Sequence, residues 1–430
     1  MVDRSTTAVE VLLSPQGCAV LAGGHAGKIV LLVRTALGWT QTELGNRSGW
    51  SQSTISRIEE GKTRAVQDMQ VLADLAQALG IPPVVLGVAG QAGQAPILDG
   101  MDRRGVLGGA VTLVVTMLPH GIATASQIDP DDVAQSWTAL HRLQELEWHQ
   151  GGAAVYQVAD EMAQRLQDAL RNGSYSAETG RELQRVTVAT MNRAGWSAYD
   201  AGWGQQARHW WLEASHLADL VDDVPQGKVS ALAAMALQTG ERPGGGPEAV
   251  ELAQAAATAA VKETATPSLL SLLAAREAIG HAQAGDASAA VFAIAQARHW
   301  LDQGRTPDEP FSLAFYGPAD LAWHETQVGL LTRNGRAAEN AARTAVDRVD
   351  ATSFPRNHIL YTVRFGNVLT HLGQLDEAIS VTRTAIQGVH AVRGSGRIVA
   401  DLHRTVDLLG KQNYPPAKNF AAAARRLVTR

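Results

Sequence analysis

Cysteine is almost absent from this sequence: Cys18 is the single one among 430 residues. One thiol cannot close an intrachain disulfide, and it cannot supply the several thiolates of a cysteine-based zinc or iron–sulfur site. The N-terminus lacks a positively charged cluster that leads into a long apolar run, so we expect no secretion signal. These absences favour a reducing cytoplasm.

Long apolar runs are also scarce. The run Gly105–Leu118 is shorter than the roughly 20 residues that a membrane-spanning helix needs. Arg103 and Arg104 precede it, as in a twin-arginine export signal, but the run lies far inside the chain. We favour a linker helix that packs on the rest of the chain or on a second copy. Membrane association is the alternative, and we expect no stable membrane insertion.

An excess of positive charge is missing as well. The chain has 37 Lys and Arg against 42 Asp and Glu, so its formal net charge is -5. Any nucleic-acid site must therefore be a local basic patch. Hydrophobic residues make up 45% of the chain and charged residues 18%, which is typical of a globular protein. The length favours two or more domains, and the scarcity of strand-type alternation predicts an all-α fold.

Composition divides the chain into four stretches. Residues 1–27 end in glycine-rich text, which predicts a flexible N-terminal extension. Residues 28–88 have the pattern of short helices with tight turns. Residues 89–127 form a linker that carries the apolar helix, and residues 128–430 are helical throughout, rich in Ala, Leu, Gln and Arg.

The second stretch has consistent helix signals. Val30, Val33 and Leu37 fall three and four apart, which gives the first helix one apolar face. Thr40 and Glu43 have the spacing of a capping box and predict the start of the second helix. A tight turn follows, and then a third helix with polar residues at its N-terminus.

The third helix is predicted over Gln52–Glu60. Gly49 supplies the turn before it, Ser51 is its N-cap, and Gly61 ends it. Two further short helices complete the stretch. A helix, a glycine turn and a helix with polar N-terminal residues form a helix-turn-helix arrangement.

The strings Trp39–Leu44 and Ser51–Lys62 closely resemble the Cro/C1 (XRE) family of bacterial and phage repressors. The resemblance implies a five-helix domain whose third helix enters the major groove of double-stranded DNA. Gly45 departs from it, because the family usually has Ala there, and weakens the second helix by about 1 kcal/mol. Trp50 stands where a smaller apolar residue is usual.

The third helix carries side chains that can read bases. Gln52 can pair with adenine, and Arg57 can pair with guanine. The base-reading residues that we predict are Gln52, Ser53, Thr54 and Arg57. The predicted phosphate contacts are Gln41, Ser51, Lys62 and Arg64, of which Gln41 is implied by the resemblance.

The fourth stretch contains irregular repeats. Glycine-centred turns followed by Ala-rich text recur about every 40 residues, with one longer interval of about 50, as expected for paired-helix repeats. The glycines are Gly202, Gly244, Gly285, Gly335 and Gly373. Leu372–Ala378 resembles the turn inside a tetratricopeptide repeat. Such helix pairs stack into an α-solenoid with a concave surface.

Two aromatic clusters in this stretch allow two interpretations. They can fill the space between helices, or some can face a ligand on the concave surface. The ligand-binding candidates are Trp203, Trp210, Tyr316, Trp323, Asn357 and Arg364.

We therefore predict a transcriptional regulator that forms a homodimer and whose repeat domain binds a peptide or a small molecule. The combination resembles, in architecture, the peptide-sensing regulators of Gram-positive bacteria. The alternative is a DNA-localised scaffold whose solenoid binds a partner protein. Gly61-Lys62-Thr63 is similar to the end of a phosphate loop, but Ser56 stands where that motif requires glycine. We expect no enzyme, no cofactor and no metal site.

Overall fold

The computed structural model describes residues 26–61, 69–81, 127–220, 225–261, 265–392 and 394–428, together with the isolated positions 8, 11, 12, 20 and 86. The chain divides into two compact units, residues 1–120 and 121–430. Helices and turns make up the described ranges, which contain no β-strand, so the all-α prediction is confirmed. The predicted apolar helix at Gly105–Leu118 and the predicted phosphate contacts Lys62 and Arg64 lie outside the described residues.

The N-terminal unit contains four helices in its described part. They are α1 (Ala26–Ala36), α2 (Gln41–Ser48), α3 (Gln52–Glu59) and α4 (Met69–Leu79). Val30, Leu44, Ile55, Ile58 and Leu75 are completely buried, so one small core joins all four helices. Burial of such apolar side chains stabilises the unit by about 1.5–3 kcal/mol for each.

The predicted start of α2 is confirmed in detail. The hydroxyl of Thr40 accepts a hydrogen bond from the backbone N–H of Glu43 at 3.2 Å, and the Glu43 carboxylate accepts one from the Thr40 N–H at 2.7 Å. Hydrogen bonds to the carboxylate from the backbone N–H and the hydroxyl of Thr40 lower the pKa of Glu43. Gly49 ends α2 with φ of 80°, a left-handed conformation that glycine adopts without strain.

Gly45 and Trp50, the two departures from the family pattern, are related in the structure. A Cβ atom on Gly45 would lie 2.5 Å from the carbonyl oxygen of Trp50, which is too close for any side chain. The Trp50 indole N–H donates to the carboxylate of Asp74 at 3.2 Å and so ties the turn to α4. The glycine makes room for the turn, which the prediction of a weak point in α2 overlooked.

Part of the predicted N-terminal extension is packed. Ala8 and Leu12 are helical and completely buried, and α1 begins at Ala26 rather than at Lys28. The burial of Ala8 and Leu12 differs from the flexible extension that the glycine-rich sequence predicted. The boundary at residue 88 and the linker remain predictions.

The C-terminal unit contains fourteen helices within its described residues. They are α5 (Pro130–Gln150), α6 (Tyr156–Asn172), α7 (Ala177–Asp200), α8 (Gly204–Asp219), α9 (Pro225–Gly240), α10 (Gly246–Val261), α11 (Pro267–Ala284), α12 (Ala287–Leu301), α13 (Pro318–Leu331), α14 (Gly335–Arg348), α15 (Pro355–His371), α16 (Leu375–Val389), α17 (Gly396–Lys411) and α18 (Pro415–Val428). From α6 onward each helix packs on its neighbours in sequence, as in a stacked array of helix pairs, whereas α5 packs on α7 and α15. No helix in the described ranges is long and apolar enough to cross a bilayer.

The predicted glycine turns lie between the two helices of a pair. Gly202, Gly244, Gly285 and Gly373 all have positive φ, between 75° and 88°. At the fourth turn the residue with positive φ is Arg333, at 59°, because Gly335 already belongs to α14. The repeat pattern therefore located the turns correctly, but it centred the fourth turn on Gly335, whereas the residue with positive φ is Arg333.

The array does not stay open, because its first and last helix pairs meet. The Ala153 N–H donates to the Gly394 carbonyl at 2.8 Å, and the Gly394 N–H donates to the Gln150 carbonyl at 3.1 Å. A Cβ on Gly394 would lie 2.5 Å from the Gln150 oxygen, and one on Gly396 would lie 2.1 Å from the Ala201 oxygen. Glycine permits this backbone contact, and the concave surface becomes the wall of a cavity.

We predict that Gly45→Ala loosens the turn between α2 and α3. Alanine improves helix propensity by about 1 kcal/mol, but forcing a methyl group against a backbone oxygen costs about 1–3 kcal/mol. In the full-length protein, hydrogen exchange of amides in α2 and α3 should become several-fold faster.

Thr42→Ala is the matched control, since Thr42 is exposed on the same helix. It should leave the exchange rates unchanged or make them slower. If Gly45→Ala protects these amides as well as Thr42→Ala does, the turn has room for a side chain.

Candidate functional site

One candidate site is the outer face of α3. Gln52, Ser53 and Arg57 are exposed, and Thr54 is half-buried. Ile55 and Ile58 anchor the opposite face in the core, so the four predicted base-reading side chains share the free side of the helix. The hydroxyl of Ser51 caps the helix by accepting a hydrogen bond from the Thr54 N–H at 3.2 Å.

A chain of hydrogen bonds orients the first of these side chains. The Gln52 amide donates to the Gln41 side-chain oxygen at 2.6 Å, and the Gln41 amide donates to the Glu59 carboxylate at 2.8 Å. Arg34 pairs with the same carboxylate, with its Nε 2.5 Å from Oε1. The side chains of Arg34 and Glu59 are only 12% and 4% exposed, so this ion pair is largely shielded from water.

This network modifies the role that we expected for Gln41. Its side chain holds Gln52 in place, while its backbone N–H lies in the first turn of α2, where no carbonyl of the helix can accept it. That N–H is the group available to a phosphate. Sequence reasoning missed Arg34 and Glu59, which act through contacts between α1 and α3.

The second candidate site is the cavity inside the C-terminal unit. Its volume is about 570 Å³, within the range of small-molecule sites. Its wall comes from α5, α7, α9, α11, α13 and α15, with a contribution from residues 310–315. The cavity exists because α5 and α7 meet α15 and α17, which brings both ends of the array to one space.

The segment between α12 and α13 borders this cavity. It accounts for the long interval between Gly285 and Gly335, and it contains the short 3-10 helix Phe311–Leu313. The Gln144 amide donates to the Phe311 carbonyl at 2.9 Å, and the Phe311 ring lies 4.5 Å from the ring of His141. In the sequence, the longer interval between Gly285 and Gly335 was the feature that indicated an additional segment here.

The structure places two of the predicted ligand-binding residues on the cavity wall, Trp323 and Asn357. Trp203 is instead 43% exposed, and its ring packs on Tyr156 at 5.0 Å. The Trp210 indole N–H donates to Asp160 at 3.0 Å, away from the cavity.

Tyr316 and Arg364 also lie outside the cavity lining. Tyr316 is buried, and its hydroxyl lies 2.9 Å from that of Ser271. Arg364 pairs with Asp401 at 2.7 Å and with Glu241 at 3.3 Å, while its guanidinium stacks over the Trp323 ring at 3.9 Å. It therefore supports the Trp323 ring from behind.

The aromatic side chains divide between the spaces among helices and the cavity wall. Tyr316 and Trp210 fill space between helices, whereas other aromatic side chains line the cavity. Those on the wall are Trp137, Trp148, Trp196, Trp211, Phe311, Phe315, Trp323 and Tyr361. Aromatic walls of this kind give a ligand a large apolar contact area.

Most charged groups of the wall have a partner. Arg193 pairs with Glu147 at 2.7 Å, and Arg356 pairs with Asp200. Their side chains are between 0% and 10% exposed, so these are buried ion pairs.

Asp200 connects the wall to the meeting of the first and last helix pairs. Besides Arg356, it accepts hydrogen bonds from the Gly152 N–H and from the Ser395 hydroxyl, both at 2.8 Å. The carboxylate thus holds α7, α15 and the start of α17 together. Nothing in the local sequence around Asp200 indicates this role.

Burial changes the charge of two other groups near the wall. Desolvation raises the pKa of Asp320 to about 7, although hydrogen bonding by Tyr361 and the charge of Arg276 oppose it. Desolvation also lowers the pKa of His324 to about 4, so its imidazole is neutral at physiological pH.

Comparison with known proteins identifies the N-terminal unit. Residues 31–86 match the family model described as helix-turn-helix, so the chain carries a DNA-binding helix-turn-helix domain of the XRE type. No curated protein matches the chain.

Among solved structures, the chain is similar to PlcR of Bacillus thuringiensis in a complex with the peptide PapR7 and DNA. The identity is 16%, the match covers 65% of this chain and 95% of PlcR, and the TM-score is 0.28. A TM-score of this size does not establish a shared arrangement of helices.

We predict that Asp200→Ala strongly destabilises the C-terminal unit. The substitution leaves the buried Arg356 guanidinium without its carboxylate, which costs about 3–5 kcal/mol in comparable sites. Urea unfolding followed by circular dichroism measures the loss.

Asp219→Ala is the control, because the ion pair of Asp219 with Lys228 is 53% and 34% exposed. It should lower the free energy of unfolding by no more than about 1 kcal/mol. Equal effects of the two substitutions would contradict a special role for Asp200.

Proposed function

We propose that this protein is a transcriptional regulator that recognises an operator sequence through α3 and responds to a ligand in the cavity of its C-terminal unit. The observation that carries the proposal is the exposed row of Gln52, Ser53 and Arg57 on a helix anchored in the core. A helix-turn-helix domain places such a row in the major groove.

Each side chain of the row has a separate role in this proposal. Gln52, held by Gln41, pairs with adenine, and Arg57 pairs with the O6 and N7 atoms of guanine. Ser53 bonds either type of base, and the Thr54 methyl group contacts a thymine methyl group. The phosphates are bound by Gln41, Ser51, Lys62 and Arg64.

Ligand binding and dimerisation complete the proposal. A ligand that prefers one of two conformations of the repeat domain shifts the protein toward that conformation, and in this proposal the two conformations bind DNA with different affinity, so the ligand changes the DNA affinity. A homodimer reads two half-sites about one helical turn apart and binds more tightly than one small domain can. The cytoplasm, where DNA is accessible, is the compartment that we expect.

We predict different effects for Arg57→Ala and Lys62→Ala. Loss of a base contact should cost about 1–3 kcal/mol at the preferred site and relax the preference at one base pair. Loss of a phosphate contact should weaken all sequences about equally and reduce the salt slope by about one. The measurement is titration of duplexes enriched from a random library, at several salt concentrations.

Arg171→Ala is the control, because Arg171 is 65% exposed on α6 and belongs to the other unit. It should change neither the affinity nor the salt slope. Unchanged binding by Arg57→Ala would mean that another surface reads the bases. Recovery of a stoichiometric protein partner, without any ligand effect on DNA affinity, would support the scaffold instead.

A further inference from the structure

Arg276 differs from the other arginines of the cavity wall. It lies on α11 and is 5% exposed, and its Nε atom, like those of Arg193 and Arg356, is buried without a hydrogen-bond partner in the described structure. Arg193 and Arg356 have carboxylates in contact, whereas no ion pair within 4 Å joins Arg276 to any described residue. The guanidinium therefore faces the cavity with donors to spare.

Among the acidic groups, Asp320 has the largest electrostatic effect on Arg276, but it neutralises the positive charge of Arg276 poorly. Its carboxyl group is engaged by the Tyr361 hydroxyl, and burial keeps it partly protonated near neutral pH. Arg276 remains a cation, since its pKa falls only to about 10. A buried cation without a matched anion is unfavourable, and an anionic ligand would relieve this.

His324 supplies an acceptor on the same wall. Its Nδ1 lies 2.7 Å from the backbone carbonyl oxygen of Asp320, so Nδ1 carries the proton and donates it. The Nε2 atom is then a bare acceptor, buried without a partner among the described residues. Arg276 and His324 both line the cavity, and the charge of Arg276 helps to lower the pKa of this imidazole.

The remainder of the wall is aromatic and apolar. Trp196 and Phe315 lie at 6.5 Å in a stacked arrangement, and Leu269 and Leu272 of α11 line the same space as Arg276. A ligand that fits these features has a flat apolar body, one acidic group and one N–H or O–H donor. The volume of about 570 Å³ suits one molecule of drug-like size.

We propose that the cavity binds a compact aromatic organic acid, with its acid group on Arg276 and its hydrogen-bond donor on His324 Nε2. This inference rests on the proposed function and gives the chemical class of its ligand. Guanidinium binds an oxyanion through paired, charge-assisted hydrogen bonds, which are stronger than neutral ones.

A matched pair of fluorescent probes tests this proposal in the full-length protein. 8-Anilinonaphthalene-1-sulfonate has an aromatic body, an acid group and an N–H donor, whereas N-phenyl-1-naphthylamine has the same skeleton without the acid group. We expect the sulfonate to bind at one site per chain, and Arg276→Gln to weaken it at least tenfold. The same substitution should change the affinity of the neutral probe by less than threefold.

Arg298→Gln is the control variant, because Arg298 is 59% exposed on α12 and does not line the cavity. It should leave the binding of both probes unchanged. Arg276→Lys keeps the positive charge and should weaken the sulfonate less than Arg276→Gln does. If Arg276→Gln does not fold, the proposal is tested by comparing the sulfonate affinity of Arg276→Lys with that of the unaltered protein. Equal affinities of these two proteins would overturn the proposal.

Two further results would overturn it. One is an equal loss of both probes in Arg276→Gln, which would mean that the cavity is merely apolar. The other is sulfonate binding at several weak sites, which would mean adventitious surface binding. Either result leaves the role of α3 intact, because operator binding and its dependence on Arg57 are measured without any cavity ligand.

Discussion

The C-terminal unit depends on the contact between its first and last helix pairs. Stacked helix pairs by themselves give an open concave surface, but here Asp200 binds Arg356, Ser395 and the Gly152 backbone at one buried point. Glycine at position 394 lets the backbones approach closely enough to exchange hydrogen bonds. The closed array is what turns an interaction surface into a cavity of small-molecule size.

Charge pairing distinguishes the parts of the molecule that maintain structure from those left for a partner. Arg34 with Glu59 and Arg356 with Asp200 are buried ion pairs, and each positions another part of the structure: Gln52 through Gln41 in the first case, the cavity wall in the second. Arg276 is buried without such a pair, and Arg57 is exposed on the face of α3. These two cations are the groups that the proposed ligands, an organic acid and DNA, would satisfy.

Sequence reasoning succeeded where the physical cause is local. The capping box of Thr40 and Glu43 and the glycine turns between paired helices depend on a few neighbouring residues, and the structure contains both. Among the ligand candidates, Trp323 and Asn357 reached the cavity wall, while the rest did not. Arg276 and His324 were missed because their environment is created by helices that are distant in sequence. The same reason explains Gly45, whose small size matters only because the Trp50 carbonyl lies against it.

Hydrogen exchange at the closure of the array tests its central feature most directly. The amides of Ala153 and Gly394 donate across the contact between the first and last helix pairs. In the full-length protein these two amides should exchange about as slowly as amides in the middle of α7 and α15. Fast exchange at both, with α7 and α15 still protected, would show an open array without the cavity and would contradict the proposed ligand site.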